Sequence, residues 1–153
     1  MNNYWKNKDY LSLEKTETFS EIGEVALEVQ LRMPDKICQI CGPISTGGYG
    51  NIKQNIQIFS AAIQYFNSKE EIIYNQLPLE ESLVRIIKKL GSDYNPYDLL
   101  ENIYRPLFQS GKLNRTYFIY NWESSQGSQW EHEEAYKNGL EIHYLNNKFG
   151  FIE

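Results

Sequence analysis

A short apolar run leads directly into a glycine-rich segment in the stretch ICQICGPISTGGYG, residues 37–50. Residues 37–41 have the length and composition of a buried β-strand. Four of the nine residues that follow, 42–50, are glycine, and glycine lets backbone amides approach a ligand closely. In an α/β sheet, a loop of this kind after a strand predicts a ligand site at the carboxyl edge.

Helix and strand patterns alternate on the carboxyl side of this stretch. Apolar residues at steps of three and four predict a helix that Asn51 caps, and Pro78, Asn95 and residue 129 begin three more. The predicted ends are Gly91 for the second helix and Gly139 for the fourth, and Pro106 is expected to kink or end the third. Further strands are predicted at residues 71–75, 116–122 and 140–145. This alternation favours an α/β fold of the Rossmann or flavodoxin-like type, a mostly parallel sheet flanked by helices.

The amino-terminal third has a weaker pattern. Residues 1–20 carry few periodic apolar positions, which favours an irregular arm. Residues 24–32 alternate between apolar and polar side chains, as in a half-buried strand, although a helix remains open as an alternative. As a strand, this segment would form an antiparallel edge of the sheet. With 153 residues, the chain has the length of a single domain.

Composition narrows the class of partner. Twenty acidic against fifteen basic residues leave a net charge of −5, which disfavours a nucleic-acid polymer because such binding depends on phosphate neutralisation. No apolar run approaches the ~20 residues of a membrane helix, so no membrane partner is expected. The first ten residues lack the apolar core of a signal peptide, which favours the cytoplasm.

Cys38 and Cys41 form a CxxC pattern inside the first strand. Residues three apart in a strand point to opposite faces, which favours two buried structural thiols over a redox or zinc site. His132 and His143 have no metal-ligand spacing to a partner. We therefore expect neither a metal nor a cofactor.

A second loop, WESSQGSQWE at residues 122–131, places three serines around Gly127 and ends on Glu131. Ser128 and Glu131 have the spacing of a helix capping box, and on the pattern alone this interpretation is favoured over catalysis. Neither loop contains a P-loop or a GxGxxG motif, which disfavours dinucleotide binding.

Taken together, the two loops resemble those of the nucleoside 2-deoxyribosyltransferase-like superfamily, which includes N-glycosidases acting on deoxynucleoside 5′-monophosphates. CGPISTGG at residues 41–48 resembles the CGSIRGG loop of the monophosphate hydrolases, and SQGSQWEHEEA at 125–135 resembles GTxxExGxA. The resemblance covers residues 36–145 in order. Pro43 and Glu133 depart from it, since they stand where the family has Ser and Gly.

The resemblance implies an enzyme that cleaves the N-glycosidic bond of a nucleoside or nucleoside 5′-monophosphate. Glu131 would be the nucleophile, and Asp98 in the YDL at residues 97–99 would be a second catalytic acid. The serines of the second loop would hold a 5′-hydroxyl or 5′-phosphate, the first loop would line the base and sugar, and aromatic residues, with Trp130 a further candidate, would stack on the base. The implied binding residues are Gly42, Ile44, Ser45, Gly47, Gly48, Tyr49, Trp122, Ser125, Gly127 and Ser128.

The resemblance further implies a homo-oligomer, a dimer or larger. Two alternatives to an enzyme stay open. One is a binding module that holds a nucleotide or related metabolite in the same pocket without turnover. The other is a structural or partner-binding protein in which the aromatic surface matters more than the pocket.

Overall fold

A computed structural model describes residues 4–44, 48 and 51–152 of the chain. The chain divides into two compact units, Met1–Pro34 with Gln76–Lys112 and Asp35–Asn75 with Leu113–Glu153. The helices of the described part are α1 (Asn7–Glu14), α2 (Phe19–Leu31), α3 (Ile52–Ser68), α4 (Glu80–Leu90), α5 (Pro96–Leu99), α6 (Arg105–Gln109) and α7 (Gln126–Lys137). The strands are β1 (Ile37–Cys41), β2 (Ile73–Tyr74), β3 (Leu113–Phe118), β4 (Glu141–Leu145) and β5 (Phe151–Ile152).

The second unit is built on a five-stranded sheet with the order β2-β1-β3-β4-β5. The first four strands in that order pair in parallel, and β5 joins β4 antiparallel. The prediction of an α/β fold with a mostly parallel sheet is therefore confirmed. The antiparallel edge is the carboxyl-terminal β5, and the prediction of an amino-terminal edge strand is wrong.

Helices flank both faces of this sheet within the second unit. Tyr117 and Phe118 are consecutive residues of β3, so their side chains point to opposite faces. Tyr117 stacks on Phe66 of α3 with the ring centroids 4.1 Å apart, and Phe118 meets His132 of α7 at 5.1 Å. Each helix therefore covers its own face of the sheet.

A polar network lies on the face that α3 covers. Arg115 donates to Glu71 at 2.9 Å and to Glu141 at 3.0 Å, which ties the segment before β2 to the start of β4 through β3. The Tyr117 hydroxyl donates to the same Glu71 carboxylate at 2.5 Å. Because the two carboxylates share one guanidinium, this network supports the strand register.

Two helices begin or end at the residues that the sequence predicts. The Asn51 side chain accepts from the amide of Gln54, which begins α3 at the predicted cap. Pro78 lies in a 3₁₀ turn at Leu77–Leu79 that leads into α4, and Gly91 ends α4 with φ of +56°. A position with positive φ favours glycine, so the sequence predicts the end of this helix.

The segment predicted as a strand at residues 24–32 is helical. Thr18 caps α2 by accepting from the Glu21 amide. Ile22, Ala26 and Val29, at helical steps of four and three, are fully buried. The alternation also predicted Leu31 on the buried face, yet Leu31 is 52% exposed. The segment is helical because a helix buries the apolar side chains as one contiguous stripe and because the Thr18 side chain caps its start.

The irregular arm predicted for residues 1–20 is also wrong, because α1 and the start of α2 lie within it. Asp9 accepts from the backbone amide of Lys6 at 2.7 Å, which satisfies a free amide at the start of α1. The same carboxylate accepts from Arg32 at 3.0 Å. Burial acts to raise the pKa of Asp9, but these two bonds and the nearby positive charges outweigh it and lower the pKa.

Pro106, expected to kink or end the third predicted helix, does not end it: the helix is irregular before Pro106 and continues past it. A π-helical turn at Leu100–Tyr104 joins α5 to α6, which continues to Gln109. Proline has no amide hydrogen, so the Asn102 carbonyl lacks its ordinary helical donor four residues on. Gly23 of α2 lies against that carbonyl so closely that a Cβ on Gly23 would stand 2.1 Å from the oxygen.

None of the helices in the described ranges has the length and apolar character that crossing a membrane requires.

We expect Gly23→Ala to lower the free energy of unfolding by about 3 kcal/mol, because backbone carbonyl and Cβ cannot both occupy that space. The matched control is Gly127→Ala in α7, where the nearest atom would lie 3.8 Å from the new Cβ. That variant should be neutral or stabilising, since alanine favours a helix over glycine. Urea denaturation of both variants measures the difference, and equal stabilities would contradict the close approach at Gly23.

Candidate functional site

The two predicted loops begin at the carboxyl ends of neighbouring strands. Cys41 and Phe118, the last residues of β1 and β3, are paired in the sheet. β1 pairs with β2, the next strand in the chain, along one edge and with β3 along its other edge. This is the topological switch point of a flavodoxin-like strand order, where open α/β sheets bind ligands.

A direct hydrogen bond joins the two loops. The Gly48 amide donates to Oγ of Ser124 at 2.6 Å. Gly48 has φ of +61°, and a Cβ there would stand 2.6 Å from Oδ1 of Asn55, so the position requires glycine. The Asn55 side-chain Nδ2 donates to the Ile44 carbonyl at 3.0 Å. Ser45, Gly47 and Tyr49, three of the predicted binding residues, lie outside the described residues.

Gly42 connects β1 to the first loop and is buried. A Cβ on Gly42 would stand 3.0 Å from the side chain of Ile119, which follows β3. The Ile119 amide in turn donates to the Cys41 carbonyl at 2.9 Å. The chain leaving β1 and the chain leaving β3 are therefore tightly packed at the base of the two loops.

The capping box predicted for Ser128 and Glu131 is wrong. The N-cap of α7 is Ser125, whose Oγ accepts from the Ser128 amide at 3.3 Å. The helix consequently begins at Gln126 instead of residue 129, and Ser128 lies in its first turn. Serine occurs at both positions, so the sequence offered two caps, and the earlier one is used. Glu131 is left without a role in the cap.

Glu131 faces the sheet from the second turn of α7. Its side chain is buried, and its Oε2 has no hydrogen-bond partner. Burial raises the pKa of Glu131 to about 8, while the Cys41 thiol and the Gln39 amide lower it. Burial and the neighbouring Glu131 hold the pKa of the Cys41 thiol well above its usual range. An acid of this kind, protonated at neutral pH and ionising just above it, is typical of functional sites.

Two further polar side chains near Glu131 have unpartnered atoms. Ser128, one helical turn away on the same face of α7, has a buried Oγ without a hydrogen-bond partner. Gln39 is fully buried in β1, and neither of its side-chain polar atoms has a partner within hydrogen-bond geometry. Sequence reasoning missed Gln39, although a polar residue in the middle of an apolar strand was the available signal.

An aromatic cluster borders the second loop. The half-buried Trp122 stacks on His132 with the ring centroids 4.4 Å apart and the planes 16° apart. His132 Nε2 lies 2.6 Å from the Tyr144 hydroxyl, and the Trp122 and Tyr144 rings are 5.9 Å apart. Trp122 therefore stands beside the site with His132 against its ring. Stacking of a base on Trp122 or on the half-buried Trp130 stays a prediction.

Asp98 is exposed in the first turn of α5, in the first unit. Asn95 caps this helix through the Tyr97 amide at 3.0 Å, and a carboxylate in a first turn also interacts favourably with the helix dipole. This local role accounts for the position of Asp98, and its catalytic role stays a prediction. Gly127, in the first turn of α7, likewise keeps its predicted binding role untested.

The two cysteines point to opposite faces of β1, as predicted. The Cys38 thiol is near Glu71 and Tyr117, on the face that α3 covers, while Cys41 is near Glu131 under α7. Both thiols are free and buried, and burial raises the pKa of Cys38 to about 11. Within the described residues, His, Cys, Asp and Glu form no group of three or more that could hold a metal ion.

Comparison of the chain with protein-family models, with curated proteins and with solved structures found no match. The geometry alone therefore defines the class: an α/β protein with a flavodoxin-like strand order and a buried carboxyl group at the switch point.

We expect the stability difference between Glu131→Gln and the unsubstituted protein to depend on pH. Burial raises the pKa of Glu131 from an ordinary 4.5 to about 8. Between these values the folded protein retains a proton that the unfolded chain has lost, so the unsubstituted protein becomes less stable as pH rises, by up to ~1.4 kcal/mol per unit. Glutamine stays neutral and lacks this dependence.

Urea denaturation from pH 4 to pH 9 measures both proteins. Below about pH 4.5 the carboxyl is neutral in both states, so their difference there is a constant offset that serves as the internal reference. The relative stability of Glu131→Gln should rise from that offset up to about pH 8. A difference that is flat over the whole range would show that Glu131 ionises normally in the folded protein.

Proposed function

We propose that this protein cleaves the N-glycosidic bond of a nucleoside or nucleoside 5′-monophosphate, with Glu131 as the nucleophile. One observation carries the proposal. The Glu131 carboxyl is not used by the helix cap and lies buried beside Cys41, the last residue of β1, with an unpartnered oxygen. A buried acid with an unpartnered oxygen is costly, and a ligand-binding edge is where such a cost is typically found.

The reaction follows the retaining glycosidase scheme. The Glu131 carboxylate attacks the anomeric carbon, and the electrons of the C–N bond leave with the base, which takes up a proton from water. The resulting sugar ester on Glu131 is then attacked at the same carbon by water, which loses a proton and releases the carboxylate. A second base in place of water would give transfer instead of hydrolysis.

The surroundings of Glu131 support both binding and reaction. Cys41 and Gln39 favour the ionised form, which is the form that attacks. Residues 42–51 and 119–131 contain no lysine or arginine. A 5′-hydroxyl or 5′-phosphate would therefore be held by backbone amides at the start of α7 and by serine hydroxyls, of which the buried Ser128 Oγ is unpartnered.

The location of the reaction and the oligomeric state of the protein are part of the proposed function. We place the reaction in the cytoplasm. We further propose a homo-oligomer, a dimer or larger, which the resemblance of the two loops supports.

A second candidate is favoured by the ionisation of Glu131. Because its pKa is about 8, the carboxyl is protonated in most molecules at neutral pH, and a protonated carboxyl donates a hydrogen bond instead of attacking. The alternative is therefore a module that binds the same class of ligand without turnover. Its binding would weaken above pH 8, as the donated proton is lost.

We expect the protein to release free base from at least one member of a panel of nucleosides and 5′-monophosphates. Chromatography measures the released base. Glu131→Gln should abolish the release, because the amide cannot form the sugar ester. The matched control is Glu133→Gln on the exposed face of the same helix, which should retain the activity. Release by Glu131→Gln at the unsubstituted rate would contradict the proposal, and ligand-dependent melting shifts without any release would favour the binding module.

The rate should also depend on pH with a defined sign. The attacking form is the ionised carboxylate, so kcat/KM should rise about tenfold per unit below pH 8 and become constant above it, if no other group titrates in this range. Initial rates at low substrate from pH 5.5 to 9 measure this profile. A rate that falls over the same interval would assign the protonated form of Glu131 to the reaction and exclude it as nucleophile.

A further inference from the structure

Gln39 is a polar residue at the centre of β1. The strand has parallel neighbours on both sides, β2 and β3, and all five of its residues are buried. Strands of this kind are almost continuously apolar in α/β proteins. A carboxamide at this position therefore calls for a physical explanation.

Gln39 and Cys41 lie on the same face of β1, because they are two residues apart. Glu131 of α7 packs against this face, and the Gln39 and Cys41 side chains both lower the pKa of its carboxyl group. The neighbouring residue of β3 on this face is Thr116, which is paired with Gln39. Thr116 Oγ1 donates to the Glu141 carbonyl at 2.8 Å, so its polar group is satisfied within the sheet.

Gln39, unlike Thr116, has no hydrogen-bond partner for its side chain. Its Nε2 and Oε1 are both buried and without a hydrogen-bond partner. A buried amide left in this state destabilises the folded protein, and a leucine or methionine would remove that cost. The Oε2 of Glu131 is also buried and unpartnered. Two unsatisfied groups of complementary chemistry thus face each other at the switch point.

A carboxamide is suited to a carboxyl group that changes its protonation state. Its NH₂ group donates to a carboxylate, and its oxygen accepts from the hydroxyl of a carboxylic acid. A rotation of the amide exchanges the two roles without a change of side chain. Cys41 is the other titratable group that faces Glu131 from β1, and its thiol stays protonated because its pKa is held well above the usual range.

We propose that Gln39 is a positioning residue for Glu131: its Nε2 donates to the Glu131 carboxylate and orients the oxygen that attacks the sugar. The orienting role rests on the proposed function, whereas the hydrogen bond to the ionised carboxylate does not. Gln39 itself touches no reacting atom. Its effect on the reaction passes through the Glu131 carboxyl group.

The test compares Gln39→Met, which keeps the length and removes the amide, with Thr116→Val, which removes a polar group from the same face. The titration of Glu131 is followed by carbon-13 NMR of its carboxyl group, with Glu131→Gln for assignment. Gln39→Met should raise the midpoint by about one pH unit, because the ionised form loses a donor. Thr116→Val should leave it unchanged, and equal midpoints in the two variants would overturn the proposal.

A second measurement needs no substitution of Gln39, in case Gln39→Met does not fold. In the unsubstituted protein, the side-chain NH₂ resonances of Gln39 should shift with the midpoint of the Glu131 carboxyl. The shift should vanish in Glu131→Gln. NH₂ resonances that stay constant through the titration of Glu131 would overturn the proposal.

Kinetics separate this proposal from the proposed function. With an active substrate, Gln39→Met should lower kcat by up to about 100-fold at unchanged KM, with its pH profile displaced upward, because an attacking oxygen is misplaced. A failure to release base from any substrate, together with the coupled titration, would contradict the proposed function and uphold the contact. An unchanged kcat and pH profile would overturn the positioning role while leaving the function intact.

Discussion

The parallel pairing of β1 with β3 is the constraint on which the candidate site depends. It joins the carboxyl end of the first strand to that of the third, so two loops separated by more than 70 residues leave the sheet side by side. The loops then meet through the hydrogen bond between Gly48 and Ser124. Without this pairing, the glycine-rich segment and the serine-rich segment would be two unrelated turns.

The same pairing creates an electrostatic conflict under α7. Covering a parallel sheet with a helix removes water from the side chains between them, and here those side chains include Glu131 and Gln39. Desolvation favours the neutral carboxyl, and the nearby thiol and amide favour the ionised one, which places the pKa near 8. A carboxyl balanced in this way can exchange a proton near neutral pH, as acid–base chemistry requires, and its ionised fraction can act as a nucleophile.

Features that depend on a few neighbouring residues could be predicted. Asn51 caps α3, and glycine with positive φ follows α4 and α7 at residues 91 and 139. Errors arose where one segment satisfied two patterns. Residues 24–32 alternate and also repeat at helical steps, and both Ser125 and Ser128 offered a cap. Packing chose between the alternatives in each case, because only one choice buries the apolar stripe or leaves Glu131 facing the sheet.

By itself, the sequence determined the α/β class, the strand at residues 37–41, and the identity of two loops carrying glycines, serines and a glutamate. Only the tertiary structure decided that Glu131 is a buried acid and not part of a cap, and that Gln39 faces it. The physical reason is that protonation and hydrogen bonding of a side chain depend on the groups around it in space. For Glu131 those groups come from β1, which lies 90 residues earlier in the chain.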